Sequence, residues 1–511
     1  MSFMRCLVPA LVGLGSLTSF AAAAGIADID TVVVIYAENR SFDNVFGHFP
    51  NARGVNGLKP EEYLQVDRNG AVLQELPPIW SGLTAKGVTP AVAEDQTKGL
   101  SNAPFAIDDP KGLNTPVTVA TRDLVHGFYQ QQLQINGGRN DRFVAYGDSG
   151  ALVMGNYAQA ANLKLWDLAK KYTLADNFFQ GAFGGSFLNH FALVCACAPR
   201  YPNADADGSP IKGKGKIAEV DEDGVSLKLA PNSPSSAMDG PPKYVTEKAT
   251  LTPDFYAVNT MQPPYQPSAV PPAAGEDPAL ADKNQPAVLP PQHEVTIGDL
   301  LSAKGIDWAW YAGAWQMALD GKNAKPTPNF QFHHQPFNYF AQYAPGTSAR
   351  AAHLRDGGLN GAAFIAEIDA GKLPAVTFYK PQGNLNEHPD YSAMSGGDDH
   401  IADLVDHFER SPQWAHMLVI VTFDENGGFW DHVAPPKADR WGPGSRIPTL
   451  IISPLAKKDF VDHTQYDSTS ILRLVTRRWS LPVLPGLIER DQALAVHHEP
   501  PMGDLTGAIE P

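Results

Sequence analysis

Two pairs of oxygen-bearing side chains follow the most apolar stretches of this chain. Glu38 and Asn39 end the run TVVVIYAEN at 31–39, and Asp424 and Glu425 lie near the end of MLVIVTFDEN at 417–426. Carboxylate and amide oxygens without thiolate suit a hard divalent cation, Ca²⁺, Mg²⁺ or Mn²⁺, better than zinc. Taken alone, either pair is equally well explained as polar residues capping the helices that follow. Two such pairs behind similar strands make a shared cation site the stronger reading. The turn-rich segments NRSFDN and NGGFWDHV come directly after them, as loops around a site require.

A hydroxyl and several imidazoles complete the candidate set. Ser186 sits in GAFGGSFLNH at 181–190, after a Gly-Gly pair and at the head of an apolar helical pattern. Free N–H groups at a helix start favour a nearby anion and would stabilise a serine alkoxide. The plainer role for Ser186 is an N-cap, although Gly-Gly before it permits a ligand to approach the backbone closely. His126 lies in LVHGF, His333 and His334 are adjacent in FQFHHQPF, and His388 is in the Pro-containing loop NEHPDYS. Several imidazoles together can donate to phosphate oxygens, and one can protonate a leaving alkoxide.

These residues need a scaffold that brings distant segments together. Strands are predicted at 31–36, 174–179, 306–311, 375–380, 417–423 and 447–453. A continuous Val/Ile run marks a strand buried on both faces, as in a parallel sheet covered by helices. Helical patterns intervene. Asn162 opens NLKLWDLAKK, and Thr296 caps TIGDLLSAKG with Asp299 three residues on and Gly305 as its stop. Residues 399–409 and 468–479 are amphipathic in the same way. The alternation predicts one α/β domain over 25–511 with a largely parallel sheet, whose carboxyl edge is where such folds build their sites. Residues 200–292 break the pattern and read as an insertion. A hairpin or small antiparallel flap is expected within 202–250, and a Pro-rich surface wrap over 256–291.

The chain has 511 residues and a formal charge of −16, which argues against general nucleic-acid or anionic-membrane binding. Residues 1–24 carry Arg5, an apolar run and Ala21 to Ala24, the pattern of a secretory signal cut near Ala24/Gly25. That predicts a periplasmic or secreted protein with no integral membrane span after cleavage. Cys195 and Cys197 then remain, two residues apart in a helical pattern. Such positions point apart on a helix, so two buried thiols are expected rather than a bridge.

The ordered motifs AENRSFDNVFG, DNFFQGAFGGSFLNH, the NEHP loop and VIVTFDENGGFWDHV resemble the phosphoesterase family of bacterial acid phosphatase A and phosphatidylcholine-type phospholipases C. The resemblance spans about residues 30–485 and implies an alkaline-phosphatase-like three-layer α/β sandwich. It implies one divalent metal ion held by Glu38, Asn39, Asp424 and Glu425, with Ser186 as a nucleophile that also touches the metal. His126, His333, His334 and His388 match the phosphate-binding histidines. The phospholipase C branch usually carries a Thr nucleophile, extra C-terminal domains and a twin-arginine leader. With Ser186, an ordinary leader and an end soon after the last core helix, this chain is more similar to the acid phosphatase branch. The expectation is therefore a broad-specificity acid phosphatase acting on phosphomonoesters through a phosphoserine. The alternative is a phospholipase C releasing a phosphorylated head group from phosphatidylcholine-like lipid.

Overall fold

A computed structural model describes residues 25–322 and 329–509; the leader expected at 1–24 lies outside them. Eight strands form the main sheet: β1 Thr31–Ala37, β2 Thr173–Ala175, β3 Trp308–Gly313, β4 Leu354–Gly358, β5 Val376–Lys380, β6 Met417–Phe423, β7 Thr449–Ile452 and β8 Phe460–Asp462. Their spatial order is β8-β2-β7-β6-β1-β5-β3-β4. β7 is antiparallel to both β6 and β2, and every other pairing in the sheet is parallel. The predicted α/β class with a largely parallel sheet is what the chain adopts.

β1 is central, and all seven of its residues are buried, as are all seven of β6. That explains their unbroken apolar sequence: helices and loops cover both faces, so neither face needs polar side chains. Register then decides where the chemistry lies. Ala37 is level with Phe423, and Ile35 with Tyr379. The residues just beyond, Glu38 and Asp424, therefore emerge side by side, next to the end of β5 at Lys380.

Helix signals fared unevenly. Thr296 caps the helix Ile297–Lys304 in a reciprocal box with Asp299, and Gly305 ends it in the left-handed region. Asn162 is not the cap of Lys164–Lys171; Leu163 occupies that position. The Asp398 carboxylate accepts from the N–H groups of Lys164 and Leu165 at 2.9 and 2.8 Å instead. A cap supplied from 233 and 234 residues away has no local signature. β4 and β8 were not anticipated, and the 174–179 segment splits between β2 and a short separate pair with Tyr466–Asp467.

Further expectations are corrected in whole or in part. Cys195 and Cys197 form a disulfide. The spacing argument failed because the helix Ser186–Cys195 stops at Cys195 and Ala196 turns left-handed (φ 49°), which swings Cys197 back. Of the hairpin or small antiparallel flap expected within 202–250, the isolated antiparallel bridges Val220 with Leu227 and Leu229 with Tyr244 fit the flap and not a hairpin of paired strands. Nor is 256–291 purely superficial: Ala257, Val258, Met261 and Leu289 are buried in the main core.

Candidate functional site

At the carboxyl edge of the sheet the expected residues converge. Lys380 Nζ lies 2.9 Å from Glu38 Oε1 and 3.2 Å from Asp424 Oδ2, so the carboxylates behind β1 and β6 meet on one ammonium. The Asn39 N–H donates to Asp424 Oδ1 at 3.2 Å, and the Arg40 N–H donates to the Glu425 carbonyl at 3.0 Å. These bonds tie the loop after β1 to the loop after β6. Asn39 makes the turn with φ 60°, a conformation asparagine tolerates better than most residues. Gly427 faces it so closely that a Cβ would stand 2.3 Å from the Asn39 carbonyl oxygen.

Ser186 reaches the same place through an amide network. Gly184 N–H donates to Gln131 Oε1 at 2.7 Å, and Gln131 Nε2 donates to Asn426 Oδ1 at 2.8 Å. Gln180 Nε2 donates to the Gly184 carbonyl at 2.9 Å, while the Asn426 N–H donates to Gln180 Oε1 at 3.0 Å. The serine loop is thus bolted to the Asp424–Glu425 loop. Gly185, not Ser186, occupies the N-cap position, and Ser186 is the first helical residue. The capping role is therefore not its function. Close approach at Gly185 is made by His126, whose Cδ2 would lie 2.8 Å from an added Cβ.

Ser186, Glu38, His126, His333 and His388 all line one cleft of about 620 Å³. His334 lies behind it, with Nε2 against Glu38 Oε1. His126 Nδ1 is bonded to the Leu124 carbonyl and His388 Nδ1 to the Pro389 carbonyl, each at 2.6 Å. Those bonds place the proton on Nδ1 and aim each Nε2 inward, 3.8 Å from Glu425 Oε1 and from Glu38 Oε2 respectively. Every sequence-predicted site residue is brought to this region.

Its electrostatics are polarised. Burial opposes charge on His126, but Glu425 and Asp123 outweigh it and raise its pKa to about 9. Burial holds His333 well below the ordinary value and lowers His334 as well, despite Glu38 beside it. The histidines are therefore not equivalent: the surroundings favour charge on His126 and oppose it on the adjacent pair. Burial would raise Glu38, but His334 and Lys380 keep it well below the carboxylate range. Asp424 and Glu425 are both pushed up, chiefly by burial.

The donor set fits a hard cation. Both amide atoms of Asn39 and Glu425 Oε1 are buried with no hydrogen-bond partner among the described residues. Buried polar groups are otherwise almost always satisfied. An oxygen-binding ion supplies what Asn39 Oδ1 and Glu425 Oε1 lack, and positive charge would reverse the upward pressure on Asp424 and Glu425. Glu38 also groups with His333 and His334 within ligating reach.

Sequence reasoning missed four neighbours. Lys380 ends VTFYK, where a lysine closing a fully buried strand was the available signal. Tyr391 OH donates to Glu38 Oε2 at 3.4 Å. Asp123 lies 3.7 Å from His126 Nδ1. His190, the last residue of GGSFLNH, donates from Nδ1 to the Ser186 carbonyl at 2.7 Å and stacks on His334 with ring centroids 5.7 Å apart. His432, left unassigned from sequence, belongs to a separate buried network. Its Nδ1 is 2.7 Å from Asp43 Oδ2, while Arg446 contacts Asp43 and Asp431, each at 3.0 Å.

Residues 29–482 match a family described as "Phosphoesterase family". Among curated proteins, "Phospholipase C B" of Mycobacterium tuberculosis is 22% identical over 495 residues, covering 90% of this chain and 74% of that protein. "Non-hemolytic phospholipase C" of Burkholderia pseudomallei is 24% identical over 488 residues, covering 89% of this chain and 56% of that one. Among solved structures, murine ectonucleotide pyrophosphatase/phosphodiesterase 5 overlaps 63% of this chain and 90% of its own, at 12% identity and a TM-score of 0.28.

Proposed function

This chain belongs to the Phosphoesterase family and is a phosphoric-ester hydrolase; on that premise we propose that it cleaves its ester with Ser186 as nucleophile, in a cleft built around one divalent cation. Glu38, Asn39, Asp424 and Glu425 would hold the ion together with Ser186 Oγ. When bound, the ion supplies Lewis-acid stabilisation of phosphoryl charge and favours the serine alkoxide. The observation that carries the reading is the opening of Ser186, Glu38 and three candidate histidines into one cleft.

The phosphoryl group enters with its oxygens toward His126, His333 and His388. Ser186 Oγ attacks phosphorus in line, forming a phosphoserine while the ester oxygen leaves. A cleft imidazole protonates that oxygen, and water attacking phosphorus then releases Ser186. Positioning and charge neutralisation supply most of the acceleration, as in phosphoryl transfer generally.

For the substrate, the phospholipase C names of the relatives favour a phospholipid diester over the phosphomonoester first expected. On this reading the head-group phosphate occupies the cleft and diacylglycerol is the leaving alcohol. The acid-phosphatase reading has its own support in the Ser nucleophile. A periplasmic or secreted location and a single domain over 25–511, with its insertion at about 200–292, belong to the same proposal. No helix among the described residues is long and apolar enough to cross a membrane.

The deciding assay offers purified protein, with Mn²⁺, Mg²⁺ or Ca²⁺, phosphatidylcholine vesicles and p-nitrophenyl phosphate in parallel. Phosphocholine and diacylglycerol release at a kcat/KM above that for the monoester supports the lipase reading. Inorganic phosphate from the monoester alone supports the phosphatase. No product from either, with any of the ions, defeats the proposal.

A further inference from the structure

Lys380 is used by neither the nucleophile nor the phosphate-binding histidines, yet it sits at the centre of the site. It is fully buried at the end of β5, and its ammonium contacts three protein oxygens: Glu38 Oε1, Asp424 Oδ2 and, at 3.3 Å, the Ala37 carbonyl. Two of these contacts are hydrogen bonds, to Asp424 Oδ2 and the Ala37 carbonyl, and the third is an ion pair with Glu38. Lys380 is not among the residues that line the cleft where Ser186 and the histidines meet. The lysine is therefore a positioning residue.

Its effect on the two carboxylates is specific. Each gives one oxygen to the ammonium and keeps the other free to face elsewhere. Asp424 Oδ1 receives the Asn39 N–H, and Glu38 Oε2 faces Tyr391 and His388 at the cleft. In two-metal sites a pair of ions about 3.5–4 Å apart clamps the attacking and leaving oxygens, and an ion shared by Glu38 and Asp424 would stand where the Lys380 ammonium lies. Lys380 places a positive charge at the point these two carboxylates share, 2.9 Å from Glu38 Oε1 and 3.2 Å from Asp424 Oδ2.

We infer that Lys380 is a built-in monovalent cation that takes the place between Glu38 and Asp424 where a second divalent ion would otherwise bind, and so limits the site to one. The inference rests on the cation reading given above, and adds to it the residue that holds the site to one ion.

The test counts ions rather than turnover. Full-length protein is stripped with chelator, dialysed, and titrated with Mn²⁺, with bound metal measured by elemental analysis and free Mn²⁺ by electron paramagnetic resonance. Wild type should bind one equivalent. Lys380→Met keeps the length of the side chain and removes its charge; it should bind a second equivalent, or hold the first about tenfold more tightly, since a nearby like charge has been removed. Lys380→Arg keeps the charge and should remain at one. A lysine that merely props up the loops predicts the opposite sign, with weaker Mn²⁺ binding in Lys380→Met. One equivalent of unchanged or weaker affinity in a Lys380→Met protein with a wild-type melting profile overturns the inference and leaves the cation reading standing. Two equivalents in wild type overturn it whatever the variants do. Wild type that takes up no Mn²⁺ overturns the cation reading and this inference together.

Discussion

Removing the Ser186 hydroxyl separates two roles that a serine at a helix start can play. Were Ser186 the N-cap, Ser186→Ala would cost about 1 kcal/mol of stability. Gly185 holds that position, with Ser186 as the first residue of the helix proper. Alanine there is the better helix former by a few tenths of a kcal/mol. The side chain is small and 6% exposed, so deleting one oxygen leaves little unfilled volume. The stability change should therefore lie within about 0.5 kcal/mol of zero. Activity should respond very differently. Loss of a covalent nucleophile removes the whole two-step route, so kcat should drop by about 10⁴-fold or more, equivalent to at least about 5.5 kcal/mol of barrier. KM for the better of the two substrates should change little, because the histidines and the carboxylate cluster stay in place. The assay pairs thermal melting followed by circular dichroism with initial rates for the wild-type and variant proteins. A Ser186→Ala protein that melts normally and keeps a tenth of wild-type kcat would refute the nucleophile assignment. One that loses about 1 kcal/mol of stability would show that the capping geometry has been misjudged.

Three other outcomes follow from the same contacts. Chelator should abolish turnover, and re-added divalent ion should restore it without refolding; full activity after exhaustive chelation would remove the ion from the chemistry. Gly427→Ala should reduce stability by about 2 kcal/mol or more and lower cation affinity about tenfold or more. The substitution strains a φ of 62° and drives a methyl into the Asn39 carbonyl, and a calorimetric titration beside a denaturant melt would detect both losses. Burial works against charge on His432, but its bond to Asp43 raises its folded pKa above the ordinary value. Its contribution is thus fully present below the unfolded value of about 6.5 and is lost as pH rises through the folded value. His432→Gln should therefore destabilise the protein by about 1 to 2 kcal/mol at pH 6 and by less at pH 9. An equal or larger loss at pH 9 would contradict the pairing.

How much of this was legible before the fold was known depended on whether the signal was local. The Val/Ile runs at 31–36 and 417–423 announced strands buried on both faces because alternation is lost when neither face meets water. The box at Thr296 and Asp299 was readable because both partners lie within one helical turn. Glu38, Asn39, Asp424 and Glu425 stood out by type and by position after those strands. The capping of the 164–171 helix by Asp398 was not legible, since its donor and acceptor are separated by more than two hundred residues. The cysteine bridge was misjudged because its geometry depends on a single left-handed residue, Ala196, that ends the helix between the two sulfurs.

Residue types and their order along the chain were enough to identify oxygen donors, a hydroxyl, four imidazoles and the kind of sheet that would carry them. Tertiary structure alone settled which atoms face one another. Strand register set Glu38 beside Asp424 and brought Lys380 between them. Bonds to backbone carbonyls turned the Nε2 atoms of His126 and His388 inward, and burial opposes charge on His333 and His334 while Glu425 and Asp123 favour it on His126. Charge state and register belong to the assembled protein because both depend on neighbours that arrive from distant parts of the sequence.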